Sequence, residues 1–313
     1  MPRQSLRAPR RLRTSLVLCA AALSATRCAT VRPTAVSPAR GAGDTVHVTT
    51  FGDSNTDWAV EPGDPPVITR SYVSDSPPRL APDAPNAAGQ LAGLVESRWR
   101  VLSGSPIRTV NHGIAGTTSG GGARGGADRN RNGAPNAGTV VAGVTRFEAE
   151  VLGRGYPWSG GEPTGAAYPG GPIRRVQAYA PGPRDFVYVS IGTNDFADAG
   201  MSGAQTLANL GWMVERWTGA GHAADHLVVT TLAPRQDRPA LDTLLPNLNA
   251  GIRGLAARTG VGLIDLSAHT SPDDGRTWRD STMHIGDGLH YTTRVRAWIA
   301  DQLVAYMRAH GGA

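Results

Sequence analysis

Four residues in this chain are of the right type and spacing for acyl-transfer chemistry: Ser54, Asn194, and the pair Asp287 and His290. Cleaving an ester through serine needs a base to take the hydroxyl proton, a carboxylate to orient that base, and donors for the oxyanion. Ser54 follows Gly52-Asp53 at the point where an apolar-alternating stretch, Thr45 to Phe51, runs into a tight turn. A strand stopped by glycine leaves the next hydroxyl at the carboxyl edge of a sheet, where open α/β folds keep their ligands. In Asp287-Gly-Leu-His290 the spacing lets the carboxylate accept from the imidazole Nδ1–H across one turn. Ile191-Gly-Thr-Asn194-Asp195 puts an amide side chain after another apolar run. Asn111-His-Gly113-Ile-Ala-Gly116-Thr-Thr supplies glycines that can present a bare backbone N–H.

Taken singly, each has an ordinary reading. Gly-Asp-Ser is common turn chemistry, Asn194-Asp195 suits a helix cap, and His290 is one of eight histidines. The catalytic reading rests on their joint order and strand-end placement, since general-base work demands geometry before pKa.

The elements that must position them can be read from apolar periodicity. Five short apolar runs predict buried strands: Val46 to Phe51, Arg108 to Asn111, Phe186 to Ile191, Leu227 to Leu232 and Val261 to Leu266. Helical patterns lie between them at Ala87 to Trp99, Ala204 to Trp217, Leu244 to Thr259 and Val295 to His310. Strands alternating with helices argue for a mostly parallel sheet covered on both faces. In such a sheet all four chemistry-bearing segments can meet at one rim. Residues 119–183 break the pattern, being rich in Gly, Pro, Arg and Asn, with one plausible helix at Val140 to Leu152. A segment this long inside a domain is usually a functional rim or a mobile insertion. No internal repeat or second core is evident, so residues 44–313 are expected to form one domain.

The first 43 residues are different in kind. Arg3, Arg7, Arg10, Arg11 and Arg13 precede an apolar run from Ser15 to Ala25, and small residues and a Pro/Ala/Thr stretch follow. That is the layout of an export signal, with an apolar run too short to span a bilayer. It implies a secreted or periplasmic protein with no stable membrane insertion. Arg27 before Cys28 suits lipoprotein processing poorly, so anchoring at Cys28 is the lesser alternative. Eight of the 31 basic residues precede Asp44 and no acid does, so from Asp44 onward the 25 acids exceed the bases by two. The sequence pI near 9.9 is therefore mostly a property of the leader, and no nucleic-acid footprint remains. Both cysteines, Cys19 and Cys28, lie in the leader, which leaves no disulfide or thiolate metal site in the domain.

In chain order, GDSNT from Gly52, the glycine of NHGIAG, GTND from Gly192 and DGLH from Asp287 resemble the blocks of the SGNH hydrolases, also called GDSL esterases and lipases. The resemblance runs from about residue 45 to the C-terminus, and its specificity comes from four motifs in the right order. It implies a flavodoxin-like three-layer α/β/α sandwich with a mostly parallel five-stranded sheet. It implies Ser54 as nucleophile, His290 as general base and then acid, and Asp287 orienting His290. The oxyanion hole implied is the Ser54 backbone N–H, the Gly116 backbone N–H and the Asn194 amide. Gly116 is preferred to Gly113 because the family's donor glycine follows the block's asparagine, here Asn111, by five residues. No cofactor and no metal are implied. No G-x-S-x-G occurs, which argues against the α/β-hydrolase nucleophile elbow.

The expected function is thus a secreted, monomeric serine carboxylester hydrolase. It would act through an acyl-enzyme on short acyl esters, including acetylated carbohydrate. A lipase or phospholipase, and a carbohydrate-binding protein reusing the fold, are the alternatives. Few large apolar residues stand in 119–183 to make an acyl groove, while Trp58, Tyr156, Trp158 and Tyr168 could stack on sugar, line an acyl pocket or anchor loops. Two further motifs are decoys. Ser271-Pro-Asp273-Asp-Gly275-Arg-Thr277-Trp278 resembles the Asp-box of propeller proteins, but it occurs once and without a blade-length repeat, so it reads as a structural turn. Its Trp278 is expected near the mouth of the site. Asp128-Arg-Asn130-Arg-Asn132-Gly133 opens like a calcium loop, but Thr139 stands where a bidentate glutamate should be.

Overall fold

Apolar runs without polar alternation suit strands buried on both faces, and in the computed structural model these runs form one parallel sheet. The structure describes residues 45–57, 72–73, 79–80, 89–113, 117–120, 143–154, 182, 184–198, 201–237 and 243–311. The leader, Gly116, the 128–133 loop and the aromatics Trp58, Tyr156, Trp158 and Tyr168 lie outside the described residues.

The strands are β1 (Val46–Gly52), β4 (Ile107–Gly113), β5 (Phe186–Ser190), β6 (Leu227–Thr230) and β7 (Gly262–Ile264), in the order β4-β1-β5-β6-β7. A two-stranded ribbon, β2 (Tyr72–Val73) with β3 (Arg79–Leu80), stands apart from this sheet and was not foreseen. The register aligns Gly52 with Gly113 on one side and with Ser190 on the other. β1 is therefore an interior strand, paired on both sides, and its carboxyl end lies at the point where the winding reverses. In doubly wound sheets of this order that crevice is the ligand site.

The helices are α1 (Ser54–Asp57), α2 (Leu91–Ser103), α3 (Gly143–Arg146), α4 (Asp195–Asp198), α5 (Gly203–Gly219), α6 (Leu244–Thr259), α7 (Leu266–Thr270) and α8 (Thr293–Ala309). They cover both faces, as strands whose side chains are apolar on both sides require. Val187, Val189, Leu227 and Val229 pack with Leu210, Met213 and Trp217 of α5 and Leu248 and Ile252 of α6. Phe186, Tyr188 and Val228 face the other way, onto Val95 and Trp99 of α2 and Ile299, Leu303 and Met307 of α8. The result is the three-layer α/β/α, flavodoxin-like arrangement. Each such fully buried side chain contributes roughly 1.5–3 kcal/mol.

Element ends follow local chemistry. Ser202 and Gln205 form a reciprocal capping box at the start of α5. α2 stops at Gly104, whose φ of 68° is left-handed. It runs four residues beyond the expected end because Val101, 81% exposed, and Leu102 face solvent and break the apolar stripe. The expected strand Val261 to Leu266 is shorter, since the Asp265 side chain accepts from the Ala268 N–H and opens α7.

Candidate active site

Gly52 ends β1 because nothing larger fits there. A Cβ on it would lie 2.3 Å from the Ser190 carbonyl oxygen and 2.2 Å from Thr56 Oγ1. Asp53 then closes the turn, its Oδ1 accepting from the Asn55 N–H at 2.9 Å and its carbonyl from the Thr56 N–H at 3.1 Å. Ser54 begins α1 and is 5% exposed. Burial pushes the Asp53 carboxyl up to about 7, against the pull of the Asn55 N–H and the Arg235 guanidinium, so below neutral pH it is largely uncharged.

His290 lies on the loop between α7 and α8. Its Nε2 is 3.0 Å from Ser54 Oγ, and its Nδ1 is 2.5 Å from Asp287 Oδ2. Asp287 Oδ1 also accepts from the Leu289 and His290 backbone N–H groups, each at 2.9 Å. Burial works against the Asp287 charge, but these bonds from His290 and Leu289 outweigh it and hold the carboxylate below its usual range. An ionised Asp287 can only accept, so Nδ1 carries the proton and Nε2 offers Ser54 a lone pair.

The loop is braced on three sides. The Tyr291 N–H donates to Asn55 Oδ1 at 2.9 Å, joining the residue after His290 to the residue after Ser54. The Trp278 indole N–H and the Gln236 N–H both donate to the Gly288 carbonyl, at 3.1 and 2.9 Å. Trp278 is thus buried as a brace for the loop that carries His290. The Asp-box is a closed turn: Asp273 accepts from Ser271 Oγ at 2.7 Å and from the Thr277 N–H and Oγ1 at 2.8 Å.

Asn194 ends the turn after β5 and is buried. Its Nδ2 donates to the Thr117 carbonyl at 3.1 Å, which leaves a second Nδ2–H for another acceptor. Arg235, paired through Nε and Nη2 with Asp237 at 3.0 and 3.1 Å, donates to the Thr193 carbonyl beside it. Asp195 opens α4 and accepts from the Ser119 N–H at 2.6 Å and from Thr206 Oγ1 at 2.6 Å, so it staples the segment after β4 to α5. Burial pushes its carboxyl up, and these bonds from Ser119 and Thr206 oppose the shift.

Ser54, Asp287 and His290 therefore form one hydrogen-bonded line, and Asn194 stands at the same sheet edge. Such a line can withdraw a proton from a serine hydroxyl and return it to a leaving group. Gly116 lies outside the described residues, one position before Thr117. Sequence reasoning missed Asn55, Arg235 and a buried group formed by His112, Arg146 and Glu150. The signal for the last is the four-residue spacing from Arg146 to Glu150.

The chain belongs to the GDSL-like lipase/acylhydrolase family, whose pattern it matches over residues 48–303. Among solved structures it is similar to a lipase/acylhydrolase from Enterococcus faecalis. That likeness has 17% identity and a TM-score of 0.51, covering 84% of this chain and 96% of the other. It is also similar to an aryl esterase from M. smegmatis, at 17% identity and a TM-score of 0.49, over 84% of this chain and 98% of the other. No curated protein matches the chain. At these identities the Enterococcus structure speaks to the fold, which agrees with the strand order described above.

Proposed function

We propose that this chain is an exported serine ester hydrolase that works through an acyl-enzyme. The observation that carries the reading is the line from Ser54 Oγ to His290 Nε2 at 3.0 Å and from His290 Nδ1 to Asp287 at 2.5 Å. Ser54 Oγ attacks the ester carbonyl carbon as His290 Nε2 takes its proton, and Asp287 steadies the imidazolium. The donors we assign to the negative oxygen are the Ser54 backbone N–H, the second Nδ2–H of Asn194 and the Gly116 N–H. As the tetrahedral species collapses, His290 returns the proton to the departing alcohol oxygen. Water, deprotonated by His290, then attacks the acyl-enzyme, and as the Oγ–carbon bond breaks His290 returns that proton to Ser54 Oγ and the carboxylic acid leaves. Family membership supports the reaction class, and the N-terminal leader supports export.

The substrates we assign are short acyl esters, with acetylated carbohydrate as the natural class. The scarcity of large apolar residues in 119–183 supports this over a long-chain lipase. A fluorophosphonate probe is expected to label Ser54, and p-nitrophenyl acetate and acetylated xylan are expected to be cleaved faster than p-nitrophenyl laurate. An unlabelled protein would be a fold reused for binding, and a preference for laurate would make it a lipase.

The pH profile follows from the base. Burial pushes the His290 pKa below 6.5, Asp287 pulls it up, and Arg296 and Arg235 push it down. A protonated His290 cannot accept from Ser54. Plots of kcat/KM against pH are therefore expected to fall on the acid side with a midpoint below 6.5 and to be at full height by neutral pH. A midpoint above that value would contradict the assignment.

A further inference from the structure

α3 is short and continues as a wide, π-helical turn, Phe147–Val151, in which the Leu152 N–H donates to the Phe147 carbonyl. Such turns recur at functional sites. This one directs Arg146 and Glu150 to the same place, beneath the carboxyl ends of β1 and β4. Arg146 is fully buried, and its bonds reach past its own helical turn to the ends of two strands. Its Nε and Nη2 donate to the two Glu150 oxygens at 2.9 and 2.7 Å. Nη2 also donates to the His112 carbonyl at 2.6 Å. Nη1 donates to the Gly52 carbonyl at 3.3 Å and to Thr117 Oγ1 at 3.0 Å. The guanidinium lies 4.9 Å from the Phe51 ring centroid. Glu150 Oε2 is in turn 3.1 Å from His112 Nδ1.

We infer that Arg146 is a positioning residue for the oxyanion side of the site, acting through Thr117 on Asn194; this rests on the ester-hydrolase reading above. Thr117 is held on both sides, its hydroxyl by Arg146 and its carbonyl by the Asn194 amide. Gly52, two residues before Ser54, takes another bond from the same guanidinium. One planar cation thus sets the distance between the strand end that carries the nucleophile and the segment that steadies the oxyanion donor. Stability alone is a weak reason for the arrangement, because buried ion pairs are often replaced by apolar side chains without loss. Lysine could pair with Glu150 but not span both carbonyls and the hydroxyl, since it offers a point charge instead of a fork. The Glu150 carboxyl is held down at about 2: burial opposes its charge, but Arg146 and His112 more than offset that. The cation therefore stays matched at any pH at which the site would work.

The test uses R146K, T117V, T117S and N194A in the full-length protein, with a short p-nitrophenyl ester and a fluorophosphonate probe. R146K and T117V are expected to lose about 10- to 100-fold in kcat with KM nearly unchanged, because small misplacements of a catalytic group carry that cost. Their rate of fluorophosphonate inactivation should fall in parallel, and T117S, which keeps the hydroxyl, should recover most of the loss. T117V/N194A is expected to be no slower than N194A alone, since both substitutions act on one interaction. Wild-type kcat in T117V, or losses that multiply fully in the double variant, would overturn the proposal. Should R146K fail to fold, T117V, T117S and the double variant decide it without R146K. A wild-type protein that neither cleaves esters nor takes the probe sinks the ester-hydrolase reading and this proposal together. A labelled, active wild type with an unaffected T117V sinks this proposal alone.

Discussion

Ser54→Ala is expected to abolish hydrolysis of p-nitrophenyl acetate, by about 10⁴-fold or more, while leaving the circular dichroism and melting temperature near wild type. The loss is large because the hydroxyl is the atom that bonds to substrate. The fold is spared because Ser54 holds no structural bond that Asp53 and Asn55 do not already supply: Asp53 closes the turn, and Asn55 Oδ1 holds Tyr291. What survives should be the rate that oxyanion donors alone can support, and it should be blind to the fluorophosphonate probe. Wild-type turnover in a folded Ser54→Ala protein would remove Ser54 from the mechanism.

Asp287→Asn carries the second-largest expected effect, about 10³- to 10⁴-fold in kcat with KM little changed. The substitution keeps size and shape, and Oδ1 can still accept from the Leu289 and His290 N–H groups. What it loses is the oxygen facing His290 Nδ1. An amide turned so that its NH₂ faces the ring forces the proton onto Nε2, the atom that must accept from Ser54. Asp287 is 38% exposed, so the variant leaves no buried charge behind and should fold. A kcat within a few-fold of wild type would show that another group orients His290.

The parts of the fold and site legible in the sequence are those where chemistry and chain order coincide. Ser54, Asn194, Asp287 and His290 each follow an apolar run or precede a helix, and the glycines beside them mark backbone that has no room for a side chain. The sheet was legible for the same reason, since strands buried on both faces are plain apolar runs. Boundaries were less so. An apolar run does not say where extended backbone gives way to helix, and Val261 to Leu266 holds both, divided at Asp265 by a capping bond that composition cannot reveal. The buried polar side chains were hidden more deeply. Arg146 and Glu150 stand in a Gly- and Arg-rich stretch where charges look like solvated surface, and Arg235 sits in a polar loop. Only the fold shows that they are buried. Asn55 was invisible for another reason: its partner, Tyr291, is 236 residues away.

That last bond is one of three that decide how the catalytic pair is held. Ser54 is carried by the end of β1 and His290 by the loop before α8. Asn55 to Tyr291, Gln236 to Gly288 and Trp278 to Gly288 hold the two together. An early and a late stretch of the described chain meet here, so the spacing of oxygen and imidazole is set by the loop carrying His290 as much as by the turn carrying Ser54. The pair is a join that is complete only when the sheet between them has closed, and the reaction is thereby tied to the finished fold.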